Sequence, residues 1–243
     1  MGCVTDPAAG EKEAGTQFLP LFPLQTVLLP GAHLPLHIFE PRYRQLTMDL
    51  VTGAVPQRQF GVVALRGGLL GEVDTVEQVF DVGCTARLRD VSRLPDGRFD
   101  VIAAGQRRFR LLDVDTTAAP YLMGTIEWCD DDPIPPGCAE AAEKLAAMAR
   151  TAHRRYCAAA WASEDWSPPA PETPVRELAY LLAADGLLPL EDRQALLEQR
   201  QPLRRLREAC ELLSREAGFL AELRAVPVQP GQLTLPSGRA SMN

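Results

Sequence analysis

The sequence has 243 residues, of which 46% are hydrophobic and 23% charged, a composition typical of globular proteins. No apolar run approaches the ~20 residues that a membrane-spanning helix needs, and residues 1–17 lack the apolar core of a secretory signal. We therefore expect a cytoplasmic protein. The net charge of −7 argues against a general nucleic-acid binder, because such proteins need cations to displace phosphate counterions.

The chain changes character near residue 133. Before it, short runs of β-branched and aromatic residues alternate with Gly and Pro, which is typical of strands. After it, stretches rich in Ala, Leu, Glu and Arg follow helical periodicity. We predict an α+β protein with a flexible leader at 1–15, a β-rich lobe at 16–132, an α-helical lobe at 133–226 and a flexible tail at 227–243.

The sequence of the first half of the β-rich lobe indicates several strands and one helix. Pro41 suits the first position of a helix and Gly53 suits the position after its end, so a helix is predicted over 41–52. Strands are predicted at residues 18–24, 26–29, 34–39 and 59–66.

The sequence of the second half of the β-rich lobe indicates a β-hairpin. Strands at 82–94 and 98–104 flank the Pro-Asp-Gly turn at 95–97, in which Pro presets φ and Gly accepts a positive φ. Gly105 is interpreted as another turn. Further strands at 107–114 and 121–128 give a sheet of six or more strands, whose closure into a barrel would remove its edges.

The helical lobe predicts helices at 138–161, 174–184 and 190–199, and a last helix with a regular apolar stripe. The stripe is spaced 3-4-3-4-3 and spans under three heptads, so packing on the preceding helices is favoured over a coiled-coil dimer. It consists of Leu203, Leu206, Cys210, Leu213, Ala217 and Leu220. The six cysteines form no C-x-x-C pair and are expected to be reduced thiols.

Several blocks of sequence resemble the Lon protease N-terminal domain family, and above all its short bacterial members. The match opens with residues 19–24 (LPLFPL), 27–31 (VLLPG) and 34–44 (LPLHIFEPRYR). It continues in the family's order through residues 60–63, 82–88, 94–98, 105–110 and 120–124, and more weakly to about 224.

The resemblance implies a PUA-like pseudo-barrel lobe followed by an α-helical bundle. In full-length Lon proteases this region helps to recognise unfolded or degron-bearing substrates, while separate domains hydrolyse ATP and cut peptide bonds. We expect the chain to end where those domains would begin.

Catalytic motifs are absent from the sequence. No G-x-x-x-x-G-K-[ST] loop is present, and the two lysines, Lys12 and Lys144, have no matched serine for a Ser-Lys pair. The three histidines, His33, His37 and His153, belong to no known hydrolase or zinc motif. We therefore expect no enzyme activity, no metal and no cofactor.

Four residues around the start of the predicted helix are candidates for contact with a peptide: Phe39, Glu40, Arg42 and Tyr43. A structural role is the favoured alternative. In it, Glu40 caps the helix or pairs with Arg44, while Phe39 and Tyr43 fill the core.

Five arginines are predicted on the sheet face opposite the apolar side chains: Arg87, Arg89, Arg98, Arg108 and Arg110. A solvated face is the first interpretation, contact with a peptide or an acidic protein the second, and RNA binding the third. The order reflects an acidic chain without interleaved exposed aromatic residues for base stacking.

The resulting hypothesis is a non-catalytic polypeptide-binding module that recognises unfolded or degron-bearing segments, in a groove on the β-rich lobe or between the lobes. A protease or a chaperone is a further candidate partner, and the oligomeric state is expected to be a monomer or a weak dimer. One alternative is an RNA-binding PUA-like module that uses the arginine face. Another is a scaffold or regulator that docks onto a protease.

Overall fold

The structure is a computed structural model that describes residues 15–67, 73–161 and 166–223. The predicted leader and tail fall almost wholly outside these ranges. The strands are β1 Gln17–Leu24, β2 His33–Ile38, β3 Gln59–Ala64, β4 Val82–Arg93, β5 Phe99–Asp115 and β6 Met123–Trp128. The helices are α1 Pro41–Thr52, α2 Ala139–Ala160, α3 Val175–Ala184, α4 Leu190–Glu198 and α5 Pro202–Leu223. Strands precede helices apart from α1, so the predicted α+β class is confirmed.

The six strands form one mixed sheet in the order β2-β5-β4-β3-β1-β6, which closes because β6 also pairs with β5. Only β1 and β3 run parallel. β5 is 17 residues long and pairs with β4 along one edge. On its other edge, β2 pairs with residues 99–104 and β6 with residues 109–115. The sheet of six strands agrees with the predicted strand number, and the β5–β6 pairing closes part of it.

The closure is complete in only one half of the barrel. β6 joins β5 to residues 17–20 of β1, so these strands form a ring. In the other half, residues 21–24 of β1 pair with β3, and β2 pairs with β5 alone in the part of the chain that the structure describes. The sheet is consequently open between the end of β1 and β2.

Two details of the predicted sheet are wrong. Residues 26–29 form no strand but a buried irregular segment in which Leu29 is fully covered. Gly105 is not a turn, since it lies inside β5, where an added Cβ would collide with the carbonyl oxygen of Leu29. The predicted strands 98–104 and 107–114 are thus one strand.

A bulge bends β5 at this point. Ala86 opposes Gly105 whereas Cys84 opposes Arg108, so β5 carries one extra residue. The hydroxyl of Thr85 accepts a hydrogen bond from the backbone N–H of Arg107 at 3.2 Å. The side chain of Thr85 thereby satisfies a donor that the bulge removes from the ladder.

The helices pack against the sheet and against one another. Leu206 and Leu213 of the α5 stripe are fully buried in a core that continues through α2 and α3. The predicted intramolecular packing of this stripe is confirmed. A smaller core around Leu21, Phe109 and Ile126 fills the barrel. The described cysteines, 84, 129, 138, 157 and 210, are all free thiols, as expected.

Candidate functional site

A cleft of about 340 Å³ lies where the sheet is open. Its walls are residues 22–25, at the end of β1, and residues 36–40, at the end of β2. Arg42 and Tyr43 of α1 contribute from one side, and the remaining lining residues are Leu65, Val73 and Leu122. Most of these side chains are apolar, which is the usual composition of a binding site for apolar groups. We call it the β1–β2 cleft.

All four residues predicted to contact a peptide line the β1–β2 cleft. Phe39 is 61% exposed, so the expectation that it fills the core is wrong. Tyr43 is only 6% exposed and stacks on Phe22 with ring centroids 3.9 Å apart, as the structural interpretation required. The cleft therefore has a fixed aromatic floor and a solvated aromatic rim.

Glu40 and Arg42 form an ion pair beside the cleft. The Nε of Arg42 donates to Oε2 of Glu40 at 3.0 Å, and both side chains are partly exposed. Glu40 occupies the cap position of α1, but its side chain makes no capping hydrogen bond, and it pairs with Arg42 rather than with Arg44. The charges of these two side chains thus offset each other beside the cleft.

His37 connects the cleft to the β4–β5 hairpin. Its Nδ1 lies 2.7 Å from Oδ1 of Asp100, and its Nε2 lies 3.1 Å from Nη1 of Arg98. Arg98 also pairs with Asp96 at 2.6 Å, and its guanidinium lowers the pKa of that exposed carboxyl. Arg98 is therefore exposed but already engaged with a carboxylate.

The five predicted arginines do not form one exposed face. Arg87, Arg89, Arg98 and Arg110 are exposed, whereas Arg108 is only 4% exposed. The bulge in β5 reverses the predicted alternation, so Arg108 lies on the same face as Ala86 and Ala103, and the helical part of the chain covers it there. Its Nη1 donates to the carbonyl oxygen of Leu197 at 2.8 Å. The expectation that Arg108 belongs to a solvated ligand face is wrong.

Arg108 belongs to a buried network that joins the sheet to the helices. Its Nη2 donates to Oδ1 of Asp131 at 2.7 Å. Arg205, which is fully buried, donates to both oxygens of Asp131 at 2.8 Å and stacks over the ring of Tyr180 at 4.1 Å. We call Arg108, Asp131 and Arg205 the arginine–aspartate network. The sequence analysis did not identify it, because its three members lie far apart in the sequence.

A second groove, of about 420 Å³, lies between the irregular segment after β1 and helix α3. Asp185 and Arg193 are among the residues that line it. Beside it, His153 Nε2 lies 3.1 Å from Asp185 Oδ2 and 3.5 Å from Cys157 Sγ. Both groups approach the same ring nitrogen, and burial raises the pKa of the Cys157 thiol to about 12. This arrangement does not activate a nucleophile, which requires a thiolate.

Within the described ranges, no group of three or more His, Cys, Asp or Glu side chains is placed to hold a metal ion. The same residues contain no helix long and apolar enough to cross a membrane.

Residues 18–215 match the sequence family of the ATP-dependent protease La (LON) substrate-binding domain. The chain belongs to this family. The match spans most of the sequence and includes the β1–β2 cleft, the arginine–aspartate network and all the strands but the first residue of β1.

Relatives of this LON substrate-binding domain are full-length proteases. Lon protease 2 of Herpetosiphon aurantiacus is 32% identical over 217 residues, which cover 85% of this chain and 25% of the relative. Lon protease 2 of Myxococcus xanthus is 27% identical, over 88% of this chain and 25% of the relative. The chain thus spans about a quarter of the length of these relatives.

Solved LON N-terminal domains have a similar fold. A Lon N-terminal domain protein from Xanthomonas campestris aligns with a TM-score of 0.56 and 26% identity, over 79% of this chain and 96% of that one. The N-terminal domain of the Mycobacterium avium complex Lon protease aligns with a TM-score of 0.60 and 16% identity, over 82% and 98%. The second likeness concerns the fold alone.

Proposed function

We propose that this protein is a non-catalytic polypeptide-binding module that recognises unfolded or degron-bearing segments of other proteins in the β1–β2 cleft. The observation that carries the proposal is the exposed ring of Phe39 on the rim of an apolar cleft. Membership of a substrate-binding domain family supports the class of ligand.

The physical driving force is the burial of apolar surface. Covering a side chain such as Phe39 contributes about 1.5–3 kcal/mol, and aromatic side chains in well-packed pockets dominate the energy of many interfaces. The Glu40–Arg42 pair leaves little net charge on the polar side of the cleft. Apolar segments, which folded proteins bury and unfolded proteins expose, are the ligands that fit.

Under this proposal the strand-rich part acts as a PUA-like lobe and the helices as a bundle that supports it. The chain works in the cytoplasm without a cofactor, as a monomer or a weak dimer. It delivers its client to a protease or a chaperone rather than acting on the client itself.

The proposal is tested by fluorescence anisotropy with a labelled, reduced and carboxymethylated protein that cannot fold. We expect saturable binding that persists when salt is added, because apolar contacts are not screened by salt. Phe39→Ala should weaken binding about tenfold, which corresponds to about 1.4 kcal/mol. Phe219→Ala is the matched control, since Phe219 is 56% exposed but lies on α5. Equal effects of the two substitutions would contradict a site in the cleft.

RNA binding is the second candidate, favoured by Arg87, Arg89 and Arg110, which are exposed and form no ion pair with the described residues. Titration of a structured RNA with the Arg87→Glu and Arg110→Glu variants tests it. Salt-sensitive RNA binding that these variants abolish, without binding of the unfolded protein, would replace the peptide proposal. Arg108→Glu is unsuitable, because Arg108 is buried. Failure of both ligands would favour a scaffold that docks onto a protease.

A further inference from the structure

The backbone of β2 presents hydrogen-bonding groups to the β1–β2 cleft. The carbonyl oxygen of Ala32 accepts from the N–H of Gly105 at 2.9 Å. Since backbone groups alternate between the two edges of an antiparallel strand, residues 34, 36 and 38 bond to β5, and Pro35 and His37 point the other way. The position of Pro35 agrees, because proline has no N–H to give to β5.

The end of β1 presents a second edge. The carbonyl oxygen of Leu24 accepts from Leu65 N–H at 2.8 Å, on the β3 side. On the other side, Leu21 N–H donates to the carbonyl oxygen of Leu122 at 2.8 Å. The carbonyl group of Pro23, two residues further on, therefore points toward the cleft, past the point where β6 has left β1.

These two edges do not pair with each other. Each carries a proline at the position that faces the cleft, Pro23 on β1 and Pro35 on β2, and each proline removes a donor. Proline on an edge strand discourages direct strand pairing. His37, in contrast, offers both an N–H and a C=O on the β2 edge.

We propose that the client segment binds in an extended conformation as an added β-strand along β2. Its backbone bonds to the N–H and C=O of His37, and alternate side chains enter the cleft between Leu36 and Phe39. This inference rests on the proposed function and specifies the form of its ligand. Pairs of backbone donors and acceptors at a strand edge are matched by another extended backbone.

The charges around the cleft favour uncharged side chains on the inward positions of that strand. Glu40 is paired with Arg42, and His37 bonds to Asp100 and Arg98. A charged client side chain would enter an apolar space in which the described ionic side chains are already engaged with one another, which is unfavourable. The outward positions face solvent and tolerate polar residues.

The test uses a fluorescein-labelled ten-residue peptide with alternating Val and Thr and a lysine at each end. Two derivatives are N-methylated, one at every Thr amide and one at every Val amide. In an antiparallel client strand the residues opposite His37 share its outward face and bond to it, so the Thr amides are those that bond to β2. N-methylation of Thr should lower the affinity about tenfold relative to N-methylation of Val.

A matched pair of protein variants tests the other partner of the same bond. His37→Pro removes the donor N–H at a position that does not bond to β5, whereas His37→Ala removes the imidazole and keeps the N–H. We expect His37→Pro to weaken binding of the unmodified peptide about tenfold relative to His37→Ala. Circular dichroism establishes whether His37→Pro folds, and the methylated peptides decide the matter if it does not.

The outcomes separate the two proposals. Binding of the unmodified peptide with a preference between its derivatives supports strand addition. Binding without such a preference overturns strand addition and leaves the polypeptide-binding function standing. If neither the unmodified peptide nor the unfolded protein binds, the proposed function fails, and strand addition fails with it.

Discussion

The β1–β2 cleft and the arginine–aspartate network adjoin the same sheet and treat polar and apolar groups in opposite ways. In the network, three charged side chains are removed from water and bonded to one another. In the cleft, apolar side chains stay in water, and two strand edges lack a strand to pair with among the described residues. Charge here holds the structure together, while the exposed apolar surface is where we propose that polypeptides bind.

The largest effect on stability should come from breaking the network. Asp131→Ala leaves Arg108 and Arg205 buried without their shared counterion, and such changes cost about 3–5 kcal/mol. Urea unfolding followed by circular dichroism measures the loss. Arg204→Ala, which removes an exposed neighbour of Arg205, should change the free energy of unfolding by no more than about 0.5 kcal/mol. Similar small values for both variants would mean that the network does not stabilise the junction.

A glycine tests how tightly β5 is held between the two regions. Gly105→Ala forces a Cβ against the carbonyl oxygen of Leu29, and overpacking of this kind costs about 1–3 kcal/mol. Gly218→Ala is the matched control with the opposite sign. Its Cβ meets no atom within 4 Å, and alanine should stabilise α5 by about 1 kcal/mol. We expect thermal melting to show a lower melting temperature for Gly105→Ala and a higher one for Gly218→Ala than for the parent protein.

The regular elements were predictable where local chemistry alone decides them. Pro41 and Gly53 bracket α1 because their effects on φ and on the N–H act within one turn. The Pro-Asp-Gly turn fixes the β4–β5 hairpin for the same reason. Residues 26–29 were mispredicted because an apolar run looks the same in a strand and in a buried irregular segment. Gly105 was misinterpreted as a turn because glycine is needed there for another reason. The backbone of Leu29, far away in sequence, approaches so closely that no Cβ would fit.

The candidate site was only partly predictable. The motif around Phe39 drew attention to four residues that line the cleft, yet the sequence offered no sign that the sheet opens there. That opening depends on where β6 leaves β1, which is a property of the whole topology. The burial of Arg108 was unpredictable for a similar reason. Its partners, Asp131 and Arg205, come from distant segments, and the bulge in β5 reverses the alternation that assigned Arg108 to the exposed face.

The thiol of Cys84 offers a pH test of the covered side of the sheet. Complete burial raises its pKa from 9.0 to about 12. Because the folded-state pKa lies above the unfolded one, this contribution to stability is full below pH 9 and is lost as the pH rises toward 12. Compared with Cys84→Ala, the parent protein should lose about 1 kcal/mol more between pH 8 and pH 10. If the free energies of unfolding of the parent protein and Cys84→Ala change with pH in the same way, the Cys84 thiol has the same pKa in the folded and the unfolded state.

The smallest effect on stability should come from the cleft itself. Phe39→Ala removes a ring that is mostly in water, so the free energy of unfolding should change by no more than about 0.5 kcal/mol. The same substitution should weaken polypeptide binding, as described above. A large loss of stability would show that the Phe39 ring supports the fold. It would contradict the distinction between a network that stabilises the fold and a cleft that does not. Urea unfolding in parallel with the Asp131→Ala variant makes the comparison direct.

The pairing of β1 with β6 has a consequence for how the protein is made. β1 leaves the ribosome before β6 and must wait for it before the barrel can close, since Gln17 lies opposite Ile126. Arg108 waits longer still, because Arg205, which shares Asp131 with it, is synthesised after β6. Contacts so distant in sequence make folding slow. Until Arg205 has been synthesised, the nascent chain carries the open strand edges and exposed apolar surface that attract chaperones, and so resembles the clients we propose for the folded protein.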